Sequence, residues 1–199
     1  MCNLYLVDDD QDVLDSLTWM LNGLGFKPQG FLSADSFLNQ VDLQSEAIAI
    51  LDVQMPGMDG SALLTHLTKS QSPIAVIMLS GHGNIAMAVQ AIQKGALDFL
   101  EKPVDGDKLV ALLDQAKAQT KLNMQRKVAR KELSDKLEAL TPREYEVMEK
   151  VLEGKLNKVI AAELNIAQRT IELHRQKVMQ KMQVNNVAEL AYLMGKSTE

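Results

Sequence analysis

Four apolar runs, NLYLV at 3–7, AIAILD at 47–52, IAVIMLS at 74–80 and DFLE at 98–101, most constrain how this chain can fold. None shows the regular apolar–polar alternation of a strand with one wet face, so each needs cover on both sides. The stretches between them carry apolar residues at helical spacing, as in Val13, Leu14, Leu17, Met20, Leu21 and Leu24. Strands that alternate with helices and are buried on both sides predict an α/β architecture, a doubly wound parallel sheet. In such sheets ligands bind beyond the carboxyl ends of the strands, where strand order reverses.

The polar residues at those ends are Asp8, Asp9 and Asp10 after NLYLV, Asp52 at the end of AIAILD, Ser80 at the end of IAVIMLS and Lys102, read as part of the strand that DFLE begins. Asp52 closes an apolar run and leads directly into the turn VQMPGMDG. A carboxylate there is costly unless it faces water, a metal or an opposite charge. Alone, it could merely open the turn that Pro56, Gly57 and Gly60 complete. Beside Asp8 and Asp9 more is required, because neighbouring carboxylates are driven to protonate unless a divalent cation lies between them. Oxygen donors with no His or Cys nearby suit Mg²⁺. With the three carboxylates ionised, Mg²⁺ and Lys102 neutralise the cluster. A phosphoryl group would then meet a nucleophilic carboxylate, a metal, an ammonium and a hydroxyl. Asp10 reads as the N-cap of the first helix, and His82, in SGHG, as an exposed loop residue.

The segments YLVDDDQDV, ILDVQMPGMDG, MLSGHG and DFLEKP, in this order and spacing, resemble the receiver domain of two-component response regulators over residues 1–118. The resemblance implies a flavodoxin-like, five-stranded sheet with Asp52 as phosphoacceptor and Asp8 and Asp9 as the metal-binding acidic pair. It further implies that the backbone carbonyl of Gln54 binds Mg²⁺, and that Ser80 and Lys102 bind the phosphoryl oxygens. Ser80 and Phe99 would act as a switch on the face of the fourth helix and fifth strand around Val89. A cis bond between Lys102 and Pro103 is also implied.

From Asp105 the pattern is helical, with Leu109, Leu112, Leu113 and Ala116, and it continues without Gly or Pro through KAQTKLNMQRKVARKELSDKLEAL. This predicts one long helix to about residue 137, with 119–138 as a helical linker. Leu122, Val128, Leu133 and Leu137 are spaced too irregularly for a coiled coil, and RKVARKELSDK reads as a solvated face. TPRE at 141–144 is a helix start: Thr141 as N-cap, Pro142 at the first helical position and Glu144 closing a capping box. A second helix over Asn157–Leu164, the turn NIA and a third helix over Gln168–Met182 have helix-turn-helix spacing.

On that third helix Ile171, Val178 and Met182 share one arc, while Arg169, Glu172, Leu173, Gln176 and Gln180 share the opposite one. Lys155, Lys158, Arg169, Arg175, Lys177 and Lys181 outnumber Glu163 and Glu172, as phosphate contact needs. Residues 140–182 resemble the LuxR-type helix-turn-helix domain of the FixJ/NarL regulators, which sets the second domain at 139–199. The resemblance makes 168–182 the recognition helix and Arg169, Thr170, Glu172, Leu173, Arg175, Gln176, Lys177 and Lys181 the DNA-binding set. Glu172, Leu173 and Gln176 would face the groove. Ala167 departs from the pattern, since many relatives place a capping Ser there.

The charge distribution agrees with two domains. Residues 1–120 hold 6 Lys+Arg against 15 Asp+Glu, net −9, and residues 121–199 hold 15 against 11, net +4. An acidic front suits a cation site and a basic back a nucleic-acid site. No apolar run reaches 18 residues, and MCNLYLVDDD turns acidic too early for a signal peptide, so a cytoplasmic protein with no membrane partner is expected. Cys2, the one cysteine, excludes an intramolecular disulfide.

The expected function is a response regulator transcription factor. A sensor histidine kinase would phosphorylate Asp52, promoting a homodimer and sequence-specific binding to double-stranded DNA, with RNA polymerase as a further candidate partner. The receiver would assist its own Mg²⁺-dependent phosphoryl transfer and dephosphorylation without being a turnover enzyme. Phosphatases of the haloacid dehalogenase type carry a second Asp two positions after the nucleophile; this chain has Gln54 there, a candidate for placing water during phosphoryl loss. An adaptor that binds only protein is the alternative, distinguished by the absence of salt-dependent DNA binding.

Overall fold

The computed structural model describes residues 2–81 and 85–195, so His82 lies outside the described residues. Two compact units divide the chain between Lys127 and Val128. The first runs β1 (Asn3–Val7), α1 (Gln11–Gly23), β2 (Pro28–Phe31), α2 (Ala34–Gln40), β3 (Ala47–Asp52), α3 (Gly60–Lys69), β4 (Ala75–Ser80), α4 (Ile85–Gln93), β5 (Asp98–Glu101) and the start of α5 (Gly106–Glu138). All neighbouring strands are parallel, in the order β2-β1-β3-β4-β5. This is the flavodoxin-like order, with its reversal between β1 and β3.

The alternation of side chains along each strand divides the core into two layers. Tyr5, Val7, Ala49, Leu51, Val76 and Met78 face one side, where Phe37 of α2, Leu63, Leu64 and Leu67 of α3 and Ala91 of α4 cover them. Leu4, Leu6, Ile48, Ile50, Ile77 and Leu79 face the other, beneath Leu14, Leu17 and Leu21 of α1 and Leu109, Leu112 and Leu113 of α5. Both faces of the central strands are therefore dry, as their unbroken apolar sequences require.

α5 is one helix of 33 residues. Its middle is tied to the base of the sheet. Thr120, buried, donates from Oγ1 to the carbonyl of Pro73 at 2.8 Å and accepts from the amide of Ala47 at 3.2 Å. Residues read from sequence as the start of a linker thus make buried hydrogen bonds to the segments that open β3 and β4. β5 ends at Glu101, one residue earlier than expected. Lys102 extends the pairing through its amide, which donates to the carbonyl of Ser80 at 2.8 Å.

The second unit is helical: α6 (Pro142–Leu152), α7 (Asn157–Leu164), α8 (Gln168–Met182) and α9 (Val187–Gly195). Val147, Met148 and Val151 of α6, Ile160 of α7, Ile171, Val178 and Met182 of α8 and Leu190 of α9 form its core, with Leu133 and Leu137 from the last turns of α5. The buried arc of α8 is the one read from its sequence. Thr141 caps α6, and Glu144 completes the capping box.

Candidate functional site

Asp8 and Asp52 stand on either side of the reversal between β1 and β3, and both are buried. The Lys102 ammonium joins them, with Nζ 2.6 Å from Asp8 Oδ2 and 2.6 Å from Asp52 Oδ1. The second Asp52 oxygen, Oδ2, accepts from the backbone amide of Gln54 at 2.6 Å. Asp8 Oδ1 accepts from the amide of Asp10 at 3.1 Å. Each buried carboxylate therefore has both oxygens engaged, as interior charges require. Ser80 is buried at the end of β4, next to the β3 end. Asp9 is exposed in the β1–α1 loop, and Asp10 caps α1 by accepting from the amide of Asp12 at 2.9 Å.

Burial pushes the Asp52 carboxyl up; the Lys102 hydrogen bond and charge oppose this, and the neighbouring Asp8 charge reinforces it. For Lys102, burial pulls down, but hydrogen bonds to Asp52 and Asp8 outweigh it and leave its pKa raised. The site is thus a carboxylate whose pKa burial raises, with an ammonium within hydrogen-bond reach of it.

Gly60, at the start of α3, was legible only as a turn residue, yet it shapes this site. A Cβ there would lie 2.0 Å from the Asp52 carbonyl oxygen and 3.1 Å from Met78 Cε. Its amide donates to the Val53 carbonyl at 3.1 Å. Only a residue without a side chain lets α3 begin against the backbone of Asp52. Beside it, a cavity of about 580 Å³ is lined in part by Gln54, Met55, Met78, Met87, Gln90 and Phe99. Phe99 is half-buried and packs on the core layer beneath α3 and α4. The Lys102–Pro103 bond is cis.

The donor set here is all oxygen. Among the described residues no three His, Cys, Asp or Glu side chains form a cluster able to hold an ion by themselves. Two buried carboxylates with an exposed third beside them fit Mg²⁺, which keeps several waters and needs only one or two protein carboxylates.

In the second unit α8 presents Arg169, Leu173, Gln176 and Lys177 as exposed residues, with Thr170, Glu172, Arg175 and Lys181 half-buried. Arg169 pairs with Glu172 at 2.9 Å, and Arg175 donates to Asn157 Oδ1 at 2.6 Å. Lys181 does not project freely: its Nζ lies 2.6 Å from Glu144 Oε2, and Glu144 is 2% exposed. Lys155 is likewise engaged, by Glu163 at 2.6 Å and Glu153 at 2.9 Å. The cross-helix pairs Arg175–Asn157 and Lys181–Glu144 have no signature in the sequence, because they join residues 18 and 37 positions apart. An open groove of about 660 Å³ lies between α7 and α8, lined by Leu156, Asn157, Lys158, Gln168, Glu172 and Arg175.

A parallel sheet whose reversal point carries paired aspartates and a lysine, and a helical unit with helix-turn-helix spacing, define a class, the response regulators of two-component systems. Residues 4–114 match the response regulator receiver domain, and residues 138–194 match the LuxR family of bacterial regulatory proteins. The chain is 39% identical over 191 residues to the transcriptional regulatory protein FixJ of Bradyrhizobium diazoefficiens, covering 96% of this chain and 93% of that one. It is 38% identical over 190 residues to the tetrathionate response regulatory protein TtrR of Salmonella typhimurium, covering 96% and 90%. Among solved structures, the response regulator StyR matches with a TM-score of 0.74 at 34% identity, covering 98% of each chain. Full-length FixJ from B. japonicum matches with a TM-score of 0.57 at 36% identity, covering 99% and 97%.

The chain belongs to the FixJ/NarL family: it is a response regulator transcription factor with a receiver and a LuxR-type helix-turn-helix domain. Receivers are built for Mg²⁺-dependent phosphorylation and catalyse their own phosphorylation and dephosphorylation rather than turnover of an external substrate. The architecture implies a kinase partner, dimerisation and DNA binding. Among the described residues no helix is long and apolar enough to cross a membrane.

Proposed function

We propose that Asp52 is the phosphoacceptor of this regulator, receiving its phosphoryl group from a sensor histidine kinase. The observation that carries this is Lys102, whose single ammonium holds both Asp8 and Asp52 at 2.6 Å. One Asp52 oxygen attacks phosphorus, the bond between phosphorus and the kinase imidazole breaks, and an acyl phosphate results. The imidazole leaves with the bonding electron pair. Lys102 and the Ser80 hydroxyl bind the phosphoryl oxygens, and the Gln54 amide orients the carboxylate. Asp8, Asp9, Asp52 and the Gln54 carbonyl would hold Mg²⁺, which supplies charge neutralisation for the transferring group. Gln54 also places water for later hydrolysis.

The phosphoryl group adds about −1.5 to −2 charge, by analogy with other phosphorylated side chains. Ser80 and Phe99 respond, Phe99 with a cavity at its side, and the changed surface of α4 and β5 around Val89 pairs two copies. The working division is a receiver at 1–118, a linker at 119–138 and a DNA-binding domain at 139–199. α8 enters the major groove. Glu172, Leu173 and Gln176 meet base edges, while Arg169, Thr170, Arg175, Lys177 and Lys181 serve the backbone; Lys181 must leave Glu144 to do so. The protein works in the cytoplasm without a membrane partner, and RNA polymerase is the natural downstream contact.

Incubation with a small phosphodonor and Mg²⁺, followed by mapping of the adduct, tests the reading. Label confined to Asp52 and absent from Asp52→Ala is the expected result. Label retained in that variant would overturn it.

A further inference from the structure

The sequence KLNMQRKVARK, residues 121–131, holds five cations and no acid. Four of them form two stacked pairs on α5, Arg126 with Arg130 and Lys127 with Lys131, so their side chains share one side of the helix. Arg126, Arg130 and Lys131 are exposed and Lys127 is half-buried. None of the four makes an ion pair among the described residues. Like charges four residues apart oppose the helix that carries them. A face kept only for solubility would mix signs, as the following ELSDK does. An anion spanning the quartet would relieve that repulsion.

Where the quartet sits indicates which anion. Leu133 and Leu137, on the next turns of α5, belong to the core of the second unit. At 1.5 Å per residue, Arg126 is only about 10 Å along the axis from Leu133. Arg130 and Lys131 therefore belong to the unit that binds duplex DNA, itself a polyanion, and Arg126 and Lys127 stand one turn earlier on the same continuous helix.

We propose that Arg126, Lys127, Arg130 and Lys131 form a second nucleic-acid contact that grips the phosphate backbone of duplex DNA outside the bases read by α8. This rests on α8 being the recognition helix. The contact adds affinity and salt dependence but no base preference, because phosphates are the same in every sequence.

The test uses the full chain, a duplex that it selects from a random pool, and an unrelated duplex of equal length. Replacing the quartet together, R126Q/K127Q/R130Q/K131Q, removes charge while keeping good helix formers. Each lost phosphate contact lowers the salt slope by about 0.9, so a fall of about 2–4 per chain is expected. Affinity for both duplexes should drop by the same factor, at least about tenfold. Ethylation interference should disappear at phosphates beyond the selected bases, and the charge-keeping variant R126K/K127R/R130K/K131R should retain it. An unchanged slope and interference pattern overturns the proposal. So does a variant that changes only the sedimentation of the unphosphorylated protein, which would mean that the quartet docks an acidic protein surface. Gln176→Ala serves as the control: if it alters base preference while the quartet variant keeps its slope, this proposal alone fails. If Gln176→Ala leaves base preference unchanged, the assignment of α8 fails instead.

Discussion

At the scale of single residues, the geometry around Asp52 depends on residues that carry no functional group. Gly60 is the clearest. An added methyl would meet the Asp52 carbonyl oxygen at 2.0 Å, a backbone atom that cannot swing aside, so α3 or the end of β3 must move. Gly60→Ala is expected to cost about 1–3 kcal/mol, as overpacking does. Because the shift falls on Asp52 itself, Mg²⁺-dependent labelling should fall at least about tenfold. Labelling rate and thermal melting of the same preparation check this; a variant that melts normally and labels normally would show that the close approach is not needed. The clustering of the candidate residues at the strand ends was legible without a structure. Asp8, Asp52, Ser80 and Lys102 each interrupt or end an apolar run, and a polar group at such a place announces itself. Gly60 was not, because glycine after Pro-Gly-Met-Asp reads as one more turn residue, and its neighbour is 8 positions away along the chain.

At the scale of elements, periodicity carried most of the reading and its failures have physical causes. α7 and α8 have the bounds that their sequences give, and β2 is the element with no apolar run behind it. PQGF lies at the sheet edge, where Gln29 and Gly30 are exposed, so it needs no apolar stretch. The capping box of α6 was legible, but the role of its Glu144 was not. Its carboxyl is held down to about 2, first by the hydrogen bond from Lys181 and then by the Thr141 amide, against a smaller effect of burial. A lowered pKa means that ionised Glu144 stabilises the fold. The contribution is fully present above about pH 4.5 and is lost as pH falls toward 2. Its size is at most about 3 kcal/mol. Glu144→Gln should therefore speed hydrogen exchange of α6 amides at pH 7 and flatten their acid dependence. An acid profile identical to that of the parent would contradict the pairing.

The same scale holds a site for improvement. Ala167 is the N-cap of α8, with φ −66° and ψ 144°, and its side chain makes no cap hydrogen bond. A serine fits that extended backbone and its hydroxyl would accept from the amides of the first turn. Ala167→Ser is expected to stabilise the second unit by about 0.5–2 kcal/mol, read as slower hydrogen exchange in α8. Unchanged or faster exchange would mean that the first-turn amides already have a partner better than water.

At the scale of the whole molecule, phosphorylation matters only if one state of the receiver pairs with a second copy better than the other does. α4 offers the surface for this. Ile85, Val89 and Ile92 are 85%, 48% and 46% exposed, and their spacing of four and three residues lines them along one stripe of the helix. Such a stripe is costly in water and is removed when two copies pack it together. Pairing would present two recognition helices to half-sites about 34–36 Å apart, so that one operator engages both. Val89→Asp puts a charge in the middle of the stripe while touching neither Asp52 nor Lys102. It is expected to leave phosphodonor labelling within about twofold of the parent and to weaken the phosphorylated dimer at least about tenfold, a cost of about 1.4 kcal/mol or more. Sedimentation with and without phosphodonor measures the dimer, and mobility shift on a two-site duplex measures its consequence. A labelled variant that still doubles its mass would place the pairing surface elsewhere on the receiver. Loss of labelling along with the dimer would instead show that α4 and the cluster around Asp52 are one structural unit, so that the surface cannot be altered without altering the labelling.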